Sequence, residues 1–295
     1  MRENRFWAAL ADPGQMPFAV ELDPPETAAL GPFLEKAEAL LQGGADIVTL
    51  ADCPGGRPRL DSCLTAARLH WAGIPSLPHL AGRDRNALAT QSLLMGLSAE
   101  DVGGVLLVTG DRIPGDEGAK GVYHFNSLRL LDFARKLNGS LPRPLHLGAA
   151  LNLNMRNFHI ELRRAREKEA AGAEVFFTQP LLSPEAFENL RAARETLSAR
   201  ILAGIMPIVS RRNAEYMNTS VPGIRVDERI VAAYEGLDRA QAETLAETLS
   251  VALARSAAPH CDGWYLITPF GRTALMCRIM AKLRSGEACP DALPF

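Results

Sequence analysis

Along nearly the whole chain, short apolar runs alternate with longer stretches whose apolar residues recur every three or four positions, the pattern of parallel β/α units. Phe18-Ala-Val-Glu-Leu predicts a first strand, with a helix over 26–41 behind it. Asp46-Ile-Val-Thr-Leu predicts a second, followed by a helix over 62–71, and Ser76-Leu-Pro-His-Leu a third, with a helix over 86–97. Gly104-Val-Leu-Leu-Val-Thr predicts the fourth strand and stops abruptly at Gly110-Asp111. A loop rich in glycine and charge runs over 111–123, and a helix over 127–137 leads to Leu145-His-Leu-Gly-Ala-Ala as strand five. A helix over 158–170, strand six at Glu174-Val-Phe-Phe-Thr-Gln, a helix over 184–197 and strand seven at Ile201-Leu-Ala-Gly-Ile-Met-Pro follow. Three helices, near 212–217 and over 227–237 and 238–257, precede strand eight at Gly263-Trp-Tyr-Leu-Ile-Thr. In the last helix Leu275, Ile279 and Leu283 share a face.

Eight strands, each followed by a helix, predict an α/β fold: a (β/α)8 TIM-type barrel with extra helices between strands seven and eight. A doubly wound sheet shares the alternation. Its G-x-G-x-x-G fingerprint is absent after strand one, where the chain reads Asp23-Pro-Pro instead. No linker, repeat or low-complexity tract divides the chain, so one domain over 1–295 is expected.

Composition narrows the function classes. The 32 Lys and Arg nearly balance 34 Asp and Glu, which gives no basic surplus for nucleic acid or an anionic membrane. No stretch approaches the ~20 apolar residues of a membrane helix, and the first residues lack a signal-peptide core. The five cysteines, Cys53, Cys63, Cys261, Cys277 and Cys289, are scattered without zinc spacing, as expected of reduced thiols in a cytoplasmic protein; no metal is expected.

In a barrel, polar residues at the C-terminal strand ends are the candidates for chemistry. Here these are Glu21, Thr49, Asp52, His79, Thr109, Asp111, Asn152, Gln179 and Thr268. Glu21 stands between apolar neighbours, and a partly dry carboxyl there is raised toward the general-acid range unless an Arg or Lys pairs it. Asp111, alone, reads as a turn aspartate, and the long loop after it adds weight to a functional reading. Gln179 could read a heterocycle edge or bond barrel backbone. His79 has no second ligand-type residue beside it. Lys168 shares a helix with Arg163, Arg164 and Arg166, either as a solvated basic face or as a phosphate contact.

Taken together, the strand ends resemble the methylenetetrahydrofolate reductase family from about Phe18 to Leu283. The residues that carry the likeness are Val20-Glu-Leu-Asp-Pro-Pro, Pro78-His-Leu-Ala-Gly-Arg-Asp-Arg-Asn, Leu107-Val-Thr-Gly-Asp, Gly121-Val-Tyr and Gly148-Ala-Ala-Leu-Asn. Lys168-Glu-Ala-Ala-Gly-Ala, Phe177-Thr-Gln, Gly204-Ile-Met-Pro-Ile, Tyr234-Glu-Gly-Leu and Thr268-Pro-Phe-Gly-Arg complete it. The resemblance implies FAD across the strand ends, NAD(P)H as electron donor, a folate substrate and a homo-oligomer. It implies Glu21 as general acid and Asp111 as a carboxylate beside flavin and pterin, with Gln179 binding the pterin. His79, Thr109, Gly110, Asp111, Tyr123, Ala150, Glu161, Arg164 and Lys168 match flavin contacts. The chain departs from the family at Thr109 (commonly Arg), Ala51 (commonly Thr), Leu151-Asn152 (commonly Tyr-Pro) and Val209-Ser-Arg-Arg, where an aromatic residue is usual. Two other functions fit the same strand ends: oxidation of 5-methyltetrahydrofolate in methyl-group catabolism, and a flavin-free folate-binding subunit of a methyl-transfer complex.

Overall fold

The computed structural model describes residues 5–115 and 118–286. Eight parallel strands hydrogen-bond in chain order and β8 returns to β1, so the sheet closes. They are β1 (Phe18–Glu21), β2 (Ile47–Leu50), β3 (Ser76–Ala81), β4 (Gly104–Val108), β5 (His146–Leu151), β6 (Val175–Pro180), β7 (Arg200–Ile205) and β8 (Gly263–Ile267). The helices are α1 (Arg5–Ala11), α2 (Gly31–Gln42), α3 (Ser62–Trp71), α4 (Ala87–Ala99), α5 (Ser127–Asn138), α6 (Phe158–Ala170) and α7 (Pro184–Thr196). After β7 come α8 (Arg211–Ser220), α9 (Glu228–Ala233) and α10 (Arg239–Ala257), and α11 (Thr273–Ser285) follows β8. The fold is therefore a (β/α)8 barrel, with the additional helices between β7 and β8.

Strand alternation divides the apolar residues into two sets, because successive side chains leave a strand on opposite faces. Phe18, Val20, Val48, Leu50, Leu107 and Phe176 face outward and pack beneath the helices. Ala19, Ile47, Leu77, Leu106, Val175, Phe177, Leu202 and Tyr265 face inward and fill the barrel. The sequence pattern did not anticipate α1. It carries Phe6 and Leu10 into the inward cluster, and Trp7 stacks on the His146 ring at the start of β5, 4.2 Å between centroids. A Cβ on Gly104 would lie 2.5 Å from the Trp7 ring, so the lower rim of the barrel has room for this helix only with glycine there.

Two helices are shorter than the pattern predicts. The helix expected from 26 begins at Gly31, with Pro32 in its first turn, because Pro24 and Pro25 carry the chain away from β1 as a loop. The helix expected over 227–237 is only Glu228–Ala233. Tyr234 leaves it to donate its hydroxyl to the Ile208 carbonyl (2.5 Å), and Gly236 turns the chain with φ +71°. Cys53, Cys63, Cys261 and Cys277 are free thiols, and Cys289 lies outside the described residues. Among the described residues no helix is long and apolar enough to cross a membrane.

Candidate active site at the barrel mouth

The inward parity that fills the barrel continues upward to its C-terminal rim. Two positions beyond Ala19, Ile47 and Leu77 stand Glu21, Thr49 and His79, so three polar side chains from adjacent strands form the upper inward layer. The side chain of Glu21 is 18% exposed. Its Oε2 accepts a hydrogen bond from the Tyr265 hydroxyl and lies 3.8 Å from His79 Nε2. Burial first, then the charge of Asp23 and a smaller effect of Asp111, push the Glu21 pKa up to about 8; the Tyr265 hydrogen bond pulls the other way. A carboxyl of that kind is protonated at neutral pH and suits general-acid chemistry. His79 is buried, its pKa driven down to about 3 by desolvation, and its Nε2 has no hydrogen-bond partner. It is a neutral imidazole.

Asp111 comes to the same rim from the end of β4. Its Oδ2 accepts the Gly55 N–H at 2.8 Å, and its charge is felt at Glu21. Gly110 before it has φ +90°, and a Cβ there would stand 2.9 Å from the Cβ atoms of both Ala81 and Arg83. The turn that delivers Asp111 thus requires glycine. Thr109 accepts the Ser127 N–H at 3.0 Å, satisfying one orphan donor at the start of α5. Tyr123, 45% exposed with φ +45°, donates its hydroxyl to the Asp111 carbonyl at 3.4 Å.

Gln179 lies where β6 gains one residue against β7, since Phe177 pairs with Leu202 but Pro180 with Gly204. Such a bulge re-aims a side chain, and the Gln179 amide makes no hydrogen bond to a described residue. A Cβ on Gly204 would strike the Thr178 and Gln179 carbonyls at 2.5 and 2.8 Å.

The cluster on α6 divides. Arg163, Arg164 and Arg166 are exposed, but Lys168 is not part of that face. Its ammonium donates to the Ala150 carbonyl at 2.7 Å and lies 4.0 Å from Glu161 Oε1, while Glu161 accepts the Asn152 N–H at 3.2 Å. Burial lowers the Lys168 pKa. Lys168 and Glu161 therefore tie α6 to the end of β5. Asp52 is likewise structural: it accepts the Ala81 N–H (2.9 Å) and pairs with Arg85 (2.6 Å).

Two contributors escaped the sequence reading. Tyr265, inside β8, reaches Glu21 from below. Arg83, 1% exposed, ties three loops together by pairing with Asp84 (2.6 Å) and donating to the carbonyls of Cys53 (3.3 Å), Asp52 (3.4 Å) and Asp111 (3.0 Å). Its own carbonyl accepts the Val122 and Tyr123 N–H groups. Arg83 sits within a quoted motif, and burial of a full guanidinium was the missing signal. Two hollows, of about 520 Å³ between α10 and α11 and about 360 Å³ between α8 and α9, lie on the outer helices and away from this rim. Among the described residues no three His, Cys, Asp or Glu side chains converge as a metal site.

Fold and rim together define a β/α-barrel protein with a protonated carboxyl at the C-terminal ends of its strands. The chain belongs to the methylenetetrahydrofolate reductase family, whose model matches residues 7–258. No curated protein matches it. Among solved structures it is similar to an uncharacterized protein from Clostridium thermocellum that binds two copies of 5-methyl-5,6,7,8-tetrahydrofolic acid, at 13% identity and TM-score 0.67, over 94% of this chain and 98% of that one. It is also similar to EDTA monooxygenase from Chelativorans sp. BNC1 (13% identity, TM-score 0.59, 94% of this chain and 95% of that one). A third is riboflavin lyase with modified FMN and riboflavin (14% identity, TM-score 0.59, 95% of this chain and 93% of that one). At these identities the likeness is one of fold.

Proposed function

We propose that this protein reduces 5,10-methylenetetrahydrofolate to 5-methyltetrahydrofolate, with Glu21 as the general acid. The observation that carries the reading is a largely buried carboxyl in the upper inward layer of the barrel, hydrogen-bonded by the Tyr265 hydroxyl and beside His79, whose burial pushes its pKa up to about 8. Family membership and the folate named for the similar Clostridium protein support it. The buried, unpartnered His79 Nε2 and the unengaged Gln179 amide fit the polar edge of a flavin or a pterin, and a cofactor would be held by His79, Gly110, Tyr123 and Arg164. Thr109, Glu161 and Lys168, also expected as flavin contacts, are engaged with protein partners and serve as the wall behind such a ligand. Bound FAD, reduced by NADH or NADPH, supplies the hydride.

The protein's own part is proton delivery and positioning. Glu21 gives its proton to N10 of the folate, opening the methylene bridge to an iminium on N5. Gln179 orients the pterin by donating and accepting at once. Asp111 makes ionisation of Glu21 costlier and so helps hold its proton until substrate arrives.

Glu21→Gln should retain bound flavin and oxidise NAD(P)H at near the normal rate while losing folate reduction ~100-fold or more. Anaerobic stopped-flow following the flavin band separates the two half-reactions. Equal loss in both removes Glu21 from the acid role. Bleaching by 5-methyltetrahydrofolate and not by NADH or NADPH would reverse the physiological direction. A colourless protein that binds folate but takes up no added flavin would replace the reductase with a folate-binding subunit.

A further inference from the structure

We infer that Tyr265 is a positioning residue that selects which oxygen of Glu21 delivers the proton: its hydroxyl engages Oε2 from below, leaving Oε1 to carry the acid hydrogen toward the mouth. The inference rests on the acid role proposed above and adds to it the orientation of the acid.

Tyr265 pairs with Ala19 across β8 and β1, two positions beneath Glu21 on the neighbouring strand. Its ring is 6% exposed and meets Phe177 edge-on at 5.2 Å, so the packed barrel interior holds it in place. Burial and the Glu21 charge raise the phenol's pKa well above 10. It keeps its proton throughout the range in which Glu21 titrates, and acts there as a donor. In a protonated carboxyl the better acceptor is the carbonyl oxygen. Because Oε2 accepts from Tyr265, the hydrogen resides on Oε1.

The groups facing Glu21 are Asp23 beyond the end of its own strand, Asp111 from the β4 side, His79 on β3 and Tyr265 on β8. Two are anionic. His79 is neutral, and 3.8 Å is too far for a hydrogen bond. Among the described residues Tyr265 is thus the sole hydrogen-bond donor to this carboxyl. When the Oε1–H bond breaks and the hydrogen bonds to substrate nitrogen, the electron pair stays on Glu21, and the phenol stabilises that charge.

Tyr265→Phe removes the hydroxyl and preserves the ring. The carbonyl stretch of protonated Glu21, followed by infrared difference titration against Glu21→Gln, reports the carboxyl without turnover. Its apparent pKa should rise above about 8 by ~1, because the lost bond favoured the charged form. Folate-reducing kcat should fall ~10- to 100-fold with KM and NAD(P)H oxidation unchanged, the loss expected for one hydrogen bond to a charged group. Tyr265→Phe in the Glu21→Gln background should cost nothing further. An unchanged carboxyl pKa and kcat overturn the inference. Should the wild type reduce no folate at all, the reductase reading fails, and the titration alone decides: a rise supports the Tyr265 assignment and no rise overturns it. If the variant does not fold, 3-fluorotyrosine incorporation provides a stronger donor of nearly the same shape, and the Glu21 pKa must then fall.

Discussion

Glu21 and Asp23 lie two residues apart at the exit of one strand, and each charge makes the other costlier. Glu21 sits at about 8 against 4.5 for a solvated glutamic acid, so between those values the folded protein holds a proton that the unfolded chain has released. Stability contributed at this position therefore falls as pH rises from about 4.5 to 8, and the full cost, on the order of a few kcal/mol, applies above 8. Glu21→Gln removes it. The variant should gain stability over wild type at pH 9 and gain far less at pH 5, as measured by urea unfolding. An equal difference at both pH values would contradict the assigned pKa. The folate-dependent rate should fall as pH rises through 8 for the same reason, and Asp23→Asn should move that limb to lower pH by more than Asp111→Asn does, since Asp23 has the larger effect. Of this arrangement Glu21 was legible in the chain, as a lone acid between apolar residues. Tyr265 was not. It stands among apolar strand residues and reads as core, and its partner lies 244 residues away. For Lys168 the sequence left a solvated face and a phosphate contact both open, and no local spacing showed that its ammonium would donate to the Ala150 carbonyl.

At the scale of elements, the short apolar runs predicted the strands closely, and the alternation of side chains along the folded strands explains why Glu21, Thr49 and His79 converge. The connections were less legible. The loops after β2, β3 and β4 are tied through Arg83, which stands in the loop after β3 and reaches the Asp52 and Cys53 carbonyls of the loop after β2 and the Asp111 carbonyl of the loop after β4. A Cβ on Gly56 would stand 2.4 Å from the Arg112 carbonyl, so these loops touch backbone to backbone. No local spacing encodes that contact. Arg83→Ala leaves Asp84 without its cation and the Asp52 carbonyl without a donor, and should destabilise by ~3 kcal/mol. Thermal melting should show it, with the loss of folate reduction exceeding what the unfolded fraction explains, because Asp111 is released. A variant with wild-type melting would remove Arg83 from this role.

For the whole molecule, the least legible part was α1. Seven residues are too few for a periodic signal, and Phe6, Trp7 and Leu10 show their purpose only against the closed barrel. Phe6 is fully buried, and Phe6→Ala should cost ~3–5 kcal/mol by leaving a void at the lower end. Calorimetry would register that loss, while the pH limb assigned to Glu21 should stay put, since the void lies on the far side of the packed interior. A shift of the limb would mean that the lower end shapes the acid site.

With this stopper below and stacked side chains above it, the cylinder is a cup rather than a pipe. Whatever meets Glu21 must arrive and depart across one rim. In the proposed reaction, an electron donor and a folate that both need that place cannot approach from opposite ends, so the first leaves before the second is admitted.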